Sequence, residues 1–237
     1  MKQIRYIEIY DYLKNKIINE DFKAGEKIPS EKYLTELFKV SRNTVRRAIN
    51  QLSFEGLVTS VHGKGVFVLE KQQLKFLVGG LQSFKEASVY NGIEYSTNLH
   101  NFEEIIVSEK LSKKTGFAIG SKVYYIVRSR YVDGEYSILD INYFLKDVVM
   151  NLDENIAKNS VYEYIETVLN LKIAGAQKVI AMESINKLDN KYLDLKNYKL
   201  VAIIKNFVYL EDGALFEYTE SRHRPDKFTF STYAKRL

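Results

Sequence analysis

Apolar residues recur every three to four positions in three stretches within the first 55 residues, as they do in amphipathic helices. The apolar side of the first stretch is formed by Tyr6, Tyr10, Leu13 and Ile17. The second stretch follows Ser30 and contains Leu34, Leu37 and Phe38. The third follows Ser41 and contains Val45, Ala48, Ile49 and Leu52. Because a serine can accept the unpaired N–H groups at a helix start, the pattern predicts three helices, the last two joined by a short turn.

The third predicted helix has a basic and amide-rich face opposite its apolar one. That face is formed by Asn43, Arg46, Arg47 and Asn50. The exposed first turn consists of Arg42, Asn43 and Thr44. Two short helices joined by a tight turn are the arrangement in which the second helix enters the DNA major groove. A solvated basic surface would show the same residues, so this helix alone leaves both interpretations open.

A hairpin is predicted directly after the third helix. Residues 57–61 and 66–69 are rich in β-branched side chains. The turn between them contains His62, Gly63, Lys64 and Gly65. A glycine-containing hairpin with a basic tip can follow a phosphate backbone or enter the minor groove. Its position beside the two short helices favours a DNA-binding function for this part of the chain.

The second half of the chain alternates predicted strands and helices. Asp133-Gly134 separates the strand-like residues 123–132 and 136–144, and Asp212-Gly213 separates 200–210 and 214–222. Since Asp-Gly is typical of tight hairpins, the sequence predicts an antiparallel sheet. Helices are predicted at 83–90, 160–170 and about 190–196. The polar segment EKQQLK, residues 70–75, is a predicted linker between domains 1–69 and 76–237. The predicted helices and antiparallel strands together indicate an α+β fold.

Two arginines of the second domain are candidates for binding an anion. Arg128 and Arg130 are two positions apart on a predicted strand, so both project from the same face of the sheet. Guanidinium groups at this spacing either pair with carboxylates on a neighbouring strand or hold an anion, such as a phosphate, between them. The sequence leaves both interpretations open.

Two further patterns are compatible with a phosphorylated sugar. Ser83 with Glu86 and Ser160 with Glu163 have the spacing of capping boxes, each at a helix start whose free N–H groups favour an anion. A polar row on one predicted strand consists of Glu217, Thr219, Ser221 and His223. This row suits sugar hydroxyls, although a solvated sheet face would have the same pattern.

Charge and composition limit the classes of protein to which the chain can belong. Residues 1–75 contain 14 Lys and Arg against 9 Asp and Glu, which accounts for the entire net charge of +5 of the 237-residue chain. The excess positive charge therefore lies on the predicted DNA-binding domain. The absence of cysteine excludes disulfides and zinc–thiolate sites. We see neither a signal peptide nor a membrane span, and therefore expect a cytoplasmic protein.

The string IPSEKYLTELFKVSRNTVRRAINQLSFEGLVTSVHGKGVFV, residues 28–68, resembles the winged helix of GntR-family bacterial transcription regulators. The family pattern places Pro-Ser-Glu, Ser-Arg-x-Thr-Val-Arg, Glu-Gly-Leu and Gly-x-Gly in this order, and all four are present. The resemblance implies that the DNA contacts are Lys32, Arg42, Thr44, Arg46, His62 and Gly63. The exposed tips add Asn43, Lys64 and Gly65 to this candidate set.

The second half resembles the UTRA effector domain of the HutC subfamily, whose fold is similar to that of chorismate lyase. The strings that carry the resemblance are GLQSFKE, RSRYVDGEYSILDINYF, NSVYEYIE, AQKVI and YTESRHRPDKFTF. The whole chain is similar to trehalose operon repressors of Gram-positive bacteria, which trehalose 6-phosphate releases from DNA. The resemblance implies that the phosphate is held by Ser83, Arg128, Arg130, Ser160 and Tyr162. It places Asp140, Glu217 and His223 against the sugar, with Phe84 also in the effector site.

These resemblances imply a homodimeric repressor that binds a double-stranded palindromic operator and needs neither a metal nor a cofactor besides its effector. One alternative is a regulator of the same build that senses another sugar phosphate, such as an amino-sugar phosphate. A remoter alternative is a lyase-like enzyme in which Arg128 and Arg130 bind a carboxylate substrate. No metal-ligand spacing or Ser/His/Asp arrangement stands out in a chain with three histidines, so we do not expect an enzyme.

Overall fold

The computed structural model describes residues 4–69, 81, 83–91 and 94–229. The residues in ranges 4–69 and 81–228 belong to two compact units, one with three helices and a hairpin and the other with a large sheet and helices. This confirms the α+β class. The predicted linker, residues 70–75, lies outside the described residues, so the domain boundaries at 69 and 76 stay predictions.

The first unit contains the three predicted helices. They are α1 (Ile4–Ile18), α2 (Glu31–Phe38) and α3 (Arg42–Phe54). The hydroxyl oxygens of Ser30 and Ser41 accept the N–H groups of Tyr33 and Thr44 at 3.2 and 3.3 Å, so both predicted serine caps are confirmed. The side chains buried between these helices include Ile9, Leu13, Leu34, Val45, Ala48, Ile49 and Leu52.

Two details of the predicted apolar stripes are wrong. In α1 the buried side includes Ile9, while the hydroxyl of Tyr10 donates to the Glu55 carboxylate at 2.7 Å and stays near solvent. In α2 the side chain of Leu37 is 48% exposed. The ring of the next residue, Phe38, packs edge-on against Tyr12 of α1, and this docking leaves Leu37 on the outer side.

The predicted hairpin consists of β1 (Val58–Val61) and β2 (Gly65–Val68), within one residue of the expected ends. The segment that precedes α2 lies against it, because the Ile28 N–H donates to the carbonyl of Val66 at 3.0 Å. The hairpin is therefore attached to the helices by main-chain bonds as well as by the apolar core.

The second unit contains a six-stranded sheet in which every neighbouring pair is antiparallel. Its strands are β3 (Tyr95–Ile106), β4 (Lys122–Val132), β5 (Glu135–Leu145), β6 (Ile173–Ser184), β7 (Leu200–Leu210) and β8 (Leu215–His223). The spatial order is β3-β4-β5-β8-β7-β6. Both predicted Asp-Gly hairpins are present as β4–β5 and β7–β8, and the prediction of an antiparallel sheet is confirmed.

The helices of the second unit are short. They are α4 (Phe84–Asn91), α5 (Glu109–Thr115), α6 (Glu154–Lys158), α7 (Val161–Thr167) and α8 (Lys187–Tyr192), followed by a 3₁₀ turn at Pro225–Lys227. The predicted helix at 190–196 is wrong in position. The side chain of Asn186 caps α8, and the Asp189 carboxylate accepts a hydrogen bond from the Asn186 N–H at 2.8 Å. Because Arg222 donates to the Asp189 carboxylate at 2.7 and 2.8 Å, the helix is fixed at this earlier start.

Each face of the sheet has its own apolar core. One core includes side chains around α5 and α8, such as Phe117 and Leu193, packed on Val127 and Tyr218. The other includes side chains of α6 and α7, and its strand residues are Tyr124, Ile126, Phe144 and Val208. Arg128 and Arg130 alternate with Val127 along β4, so they lie on the face covered by α6 and α7.

Candidate functional site

The exposed start of α3 is the first candidate site. Arg42, Asn43 and Arg46 are exposed, and Thr44 is half-buried beside its cap. Lys32, near the start of α2, is exposed as well. These positions agree with a helix whose inner side is core and whose outer side is available to DNA, and the DNA contacts stay predictions.

Two of the arginines of α3 are oriented by neighbouring side chains. The Arg46 Nε donates to both carboxylate oxygens of Glu31 at 3.0 Å. Within the described part of the chain, no hydrogen bond engages the terminal nitrogens of Arg46, so its bidentate fork remains available for a base edge or phosphate. The Arg47 guanidinium lies 4.1 Å from the ring centre of Tyr6 and is used in packing.

The tip of the hairpin presents three of the four predicted residues. His62, Gly63 and Lys64 are exposed, and Gly65 is half-buried. At Gly65 φ is +115°, and an added Cβ would lie 2.3 Å from the Cε atom of Lys27. A glycine at this position therefore allows both the turn and the close approach of a lysine side chain.

The second candidate site lies on the sheet face covered by α6 and α7, where the strand register aligns polar side chains from four strands. Arg128 is opposite Asp140, which is opposite Ser221. Ile126 is opposite Asn142, which is opposite Thr219 and then Asn206. The buried polar side chains include Arg128, Arg130, Asp140, Asn142, Glu217, Thr219 and His223. A buried polar row of this kind is a candidate ligand site, because buried polar groups need hydrogen-bond partners.

Arg128 lies at the β4 end of this row and is held there by hydrogen bonds. Its two terminal nitrogens donate to the Ala157 carbonyl and to the Asn142 Oδ1, both at 2.8 Å. Its buried Nε has no hydrogen-bond partner among the described residues. Burial, followed by the nearby charge of Arg130, lowers the pKa of Arg128 to about 10. A buried cation that is only partly neutralised favours an anionic ligand.

Arg130 forms an ion pair with the Asp140 carboxylate on the neighbouring strand. Such a pair was one of the two interpretations that the sequence left open. The Arg130 Nε donates to the Asp140 Oδ2 at 2.9 Å, and a terminal nitrogen donates to the hydroxyl of Thr97. The guanidinium also lies 4.7 Å from the ring centre of Phe84. The two arginines therefore differ, because Arg130 has a carboxylate partner whereas the contacts of Arg128 are to neutral groups.

Asp140, Ser221 and His223 form a connected group. The second oxygen of Asp140 accepts the Ser221 hydroxyl at 2.6 Å, and the Ser221 oxygen lies 3.0 Å from the Nε2 of His223. Burial lowers the pKa of His223 to about 4, against the opposing effect of the Asp140 charge. Burial would raise the pKa of Asp140, but Arg130 and Arg128 outweigh it and the pKa is below its ordinary value. Asp140, expected against the sugar, is thus engaged by Arg130 and Ser221.

A second connected group lies next to Arg128. The amide of Asn142 donates to Thr219 at 2.7 Å, and the Thr219 hydroxyl donates to the Glu217 Oε1 at 2.5 Å. Burial raises the pKa of Glu217, which is 3% exposed. Burial and the neighbouring Glu217 carboxylate raise the pKa of Tyr162 well above its ordinary value. Tyr162 and Glu217 therefore lie close together, and their contact with an effector stays a prediction.

The two predicted capping boxes differ. At α4 the box is confirmed, since the Glu86 N–H donates to the Ser83 Oγ at 3.1 Å and Glu86 accepts the Ser83 N–H at 2.6 Å. At α7 the Ser160 Oγ accepts the Glu163 N–H at 3.3 Å, but the Glu163 carboxylate instead pairs with Lys85 of α4 at 2.7 Å. This ion pair brings the starts of α4 and α7 together, so Ser83 and Ser160 lie at adjoining helix ends.

Several polar residues of this site were not among the sequence candidates. They are Thr97, Asn142 and Asn206. Asn142 occupies the same strand face as Asp140, two positions away, so strand periodicity could have identified it. Thr97 and Asn206 belong to rows that become visible only from the pairing of strands distant in sequence.

Among the residues that the structure describes, no group of three or more His, Asp or Glu side chains converges closely enough to hold a metal ion. None of the helices in that part of the chain is both long and apolar enough to cross a membrane.

Each half of the chain matches a known protein family or domain. Residues 5–68 match the model of bacterial regulatory proteins of the gntR family, and residues 91–229 match the UTRA domain. The HTH-type transcriptional regulator TreR of Bacillus subtilis is 41% identical over 236 residues, which cover 100% of this chain and 99% of TreR.

Two solved structures are also similar. The effector-binding domain of the B. subtilis trehalose repressor TreR is 42% identical, with a TM-score of 0.56 over 60% of this chain and 99% of that domain. The possible transcriptional regulator YydK of B. subtilis covers 97% of this chain and 100% of its own at a TM-score of 0.81, and its 21% identity shows the fold alone. The chain belongs to the GntR family of bacterial transcription regulators and carries a UTRA domain.

Proposed function

We propose that this protein is a DNA-binding repressor of genes for trehalose uptake and use, and that trehalose 6-phosphate releases it from its operator. The observation that supports the target genes is the 41% identity to TreR over the full chain. The observation that supports a phosphorylated effector is the buried Nε of Arg128, a charged donor without an acceptor among the described residues. No catalytic step belongs to this proposal.

The DNA-binding part of the proposal assigns separate roles to α3 and the hairpin. The start of α3 enters the major groove, and the terminal nitrogens of Arg46, oriented by Glu31, pair with a guanine. His62 and Lys64 contact the backbone at the neighbouring groove. Each bidentate guanine contact contributes about 1–3 kcal/mol of discrimination.

The assembly that we propose is a cytoplasmic homodimer on a palindromic operator. Two-fold protein symmetry is then matched by half-sites about one helical turn apart or a multiple of it. Binding of the effector between the starts of α4 and α7 and the strand that carries Arg128 changes the position of the two winged helices relative to the half-sites. A coupling of about 1–3 kcal/mol per ligand, 5- to 150-fold in affinity, is sufficient for such a switch.

The experiment is an operator gel shift with increasing trehalose 6-phosphate for the wild type and for Arg128→Met. Methionine fills similar space without the charge, so DNA affinity should be unchanged. Losing charged hydrogen bonds worth about 1.5–3 kcal/mol should raise the effector concentration for half-release by roughly 10- to 150-fold.

The matched control is Lys205→Met, which removes a positive charge from the opposite face of β7, where Lys205 pairs with Glu183 at 2.8 Å. This variant should respond like the wild type. A normal response from Arg128→Met would exclude Arg128 from the effector site. If glucosamine 6-phosphate releases the wild type and trehalose 6-phosphate does not, the assigned sugar is wrong.

A further inference from the structure

Lys27 is a basic residue that precedes α2 in the chain but lies on the hairpin in the structure. The segment 25–28 runs antiparallel to β2, because the N–H groups of Gly25 and Ile28 donate to carbonyl oxygens of that strand at 2.9 and 3.0 Å. Lys27 is itself opposite Phe67 in this pairing. The segment therefore extends the hairpin by a third, short edge, and its main-chain bonds fix the position of Lys27.

The side chain of Lys27 extends along the outer face of the hairpin toward its tip. Ile28, the next residue, is 2% exposed and belongs to the core, so alternation places Lys27 on the outer face, where it is exposed. The Nζ of Lys27 lies 3.0 Å from the position that a Cβ of Gly65 would occupy. Gly65 is nearer the tip than Phe67 by two residues, a step of about 7 Å along the strand. The Lys27 ammonium group thus lies beside Gly65, next to the tip.

The hairpin supplies no acidic residue near this ammonium group. Residues 57–69 contain no Asp or Glu, and Lys64 is exposed at the tip. Glu26 is next to Lys27 in the chain, but by alternation it belongs to the other face, and its carboxylate accepts a main-chain N–H of the preceding turn at 2.8 Å. The ion pairs within described residues 4–69 are Lys14–Glu55, Lys16–Asp21 and Arg46–Glu31. Two lysines at one end of the hairpin therefore have no carboxylate partner in this range.

Positive charge without a counter-charge on a DNA-binding element is the feature that binds the phosphate backbone. A lysine ammonium group binds phosphate as a point charge with three donors. We propose that Lys27 is a DNA-binding residue whose ammonium group contacts a backbone phosphate beside the groove at which the hairpin tip lies. The inference rests on the proposed function, because it takes the hairpin to lie against the duplex. Lys27 was not among the sequence candidates, because only the main-chain pairing brings it to a tip that lies more than 30 residues further along the chain.

A phosphate contact affects DNA affinity in a way that a base contact or a structural role does not. It carries no sequence information, so its loss weakens binding to the operator and to random DNA by the same factor. It also releases counterions, so each neutralised phosphate contributes about 0.9 to the slope of log affinity against log salt concentration. Between about 50 and 200 mM salt, a change of about 0.9 in this slope is a factor of about 3–4 in affinity.

The test is fluorescence anisotropy of the full-length protein with a random-sequence duplex and with its operator, each over a range of about 50 to 200 mM KCl. Lys27→Met keeps the aliphatic stem beside Gly65 and removes the charge. Its affinity for both duplexes should fall by the same factor, and the loss should be about 3- to 4-fold greater at the lowest salt than at the highest. Lys27→Arg, which keeps the charge, should restore the salt dependence of the wild type.

Lys23→Met is the matched control. Lys23 is exposed on the same side of the chain before α2, four residues further from the tip. Its replacement removes the same charge from the same part of the protein but should leave the slope unchanged. Thermal unfolding of each variant shows whether the fold is retained, and the midpoint of Lys27→Met should equal that of the wild type.

The inference would be overturned if Lys27→Met kept the slope of the wild type, with or without a lower unfolding midpoint. A loss of affinity for the operator alone would also overturn it, because that result would assign Lys27 to a base rather than to a phosphate. If the wild type binds its operator no better than the random duplex, the proposed function fails, whereas the salt dependence on the random duplex still decides the role of Lys27.

Discussion

Removing the carboxylate of Asp140 should destabilise the effector domain strongly, and removing Arg130 as well should restore most of the loss. Arg130 is 4% and Asp140 7% exposed, and their Nε–Oδ2 distance is 2.9 Å. In Asp140→Ala the buried guanidinium of Arg130 loses its carboxylate partner, and its remaining hydrogen bond among the described residues is to Thr97. Breaking a buried ion pair by deleting one partner costs about 3–5 kcal/mol, because an uncompensated charge is left in a poorly solvated place.

The expected size translates into a measurable shift. For a domain of about 150 residues, each kcal/mol lowers the midpoint of thermal unfolding by about 2–4 °C, so Asp140→Ala should unfold roughly 6–20 °C lower. The double variant Asp140→Leu with Arg130→Met replaces both charges by apolar groups. Such replacements of buried pairs are often neutral or stabilising. The double variant should therefore be more stable than Asp140→Ala by about 2 kcal/mol or more.

Urea unfolding followed by circular dichroism measures both variants under the same conditions. The Ser221 hydroxyl, which loses its acceptor in both, keeps the Nε2 of His223 at 3.0 Å, so its contribution is similar in the two variants. The reasoning would be refuted if Asp140→Ala cost less than about 1 kcal/mol, or if the double variant were no more stable than the single one.

Three further perturbations test other parts of the structure. Glu31→Gln should change stability by less than about 1 kcal/mol but reduce operator discrimination at the guanine read by Arg46, which binding to single-base operator variants measures; equal discrimination would contradict the orienting role. Gly65→Ala should lower stability by about 1–3 kcal/mol, since an L side chain is strained at φ +115°, whereas the flexible end of the Lys27 side chain can move aside; an unchanged urea midpoint would contradict this. The pKa of His223 is lowered from 6.5 to about 4. Between these pH values the unfolded chain binds a proton at His223 that the folded protein does not bind. The free energy of unfolding should therefore fall by about 3 kcal/mol as the pH is lowered from 6.5 to 4. In His223→Gln this pH dependence should be absent from urea unfolding between pH 6.5 and 4, and its persistence would assign it to another group.

The parts of the fold that the sequence predicted are those specified by local chemistry. The β4–β5 turn is one example, because Asp133 and Gly134 both adopt positive φ, 50° and 83°, as a tight hairpin turn of this kind requires. Ser30 and Ser41 are another, since capping depends only on residues three positions apart. The edge strands β3 and β6 were not predicted. Edge strands are partly exposed on both faces, and the mixed burial of these two removes the clear alternation of a half-buried strand.

The candidate site was predictable only in part, because strand pairing brings together residues that are distant in sequence. Strand periodicity placed Arg128 and Arg130 on one face, but it did not decide which of them has a carboxylate partner. That depends on the pairing of β4 with β5, which puts Asp140 within reach of Arg130 and Asn142 within reach of Arg128. Asn206 comes into the site through the pairing of β7 with β8, more than 70 residues along the chain from Arg128.

The central claim is that an anionic sugar bound in the UTRA domain controls DNA binding by the winged helix. The most direct measurement is the equilibrium affinity of the purified protein for its own operator, by fluorescence anisotropy, with and without saturating trehalose 6-phosphate. We expect the effector to weaken operator binding by at least 5-fold and to leave the weaker binding to random DNA little changed. Operator affinity that is the same with and without the effector, under conditions where calorimetry shows that the effector is bound, would contradict the claim.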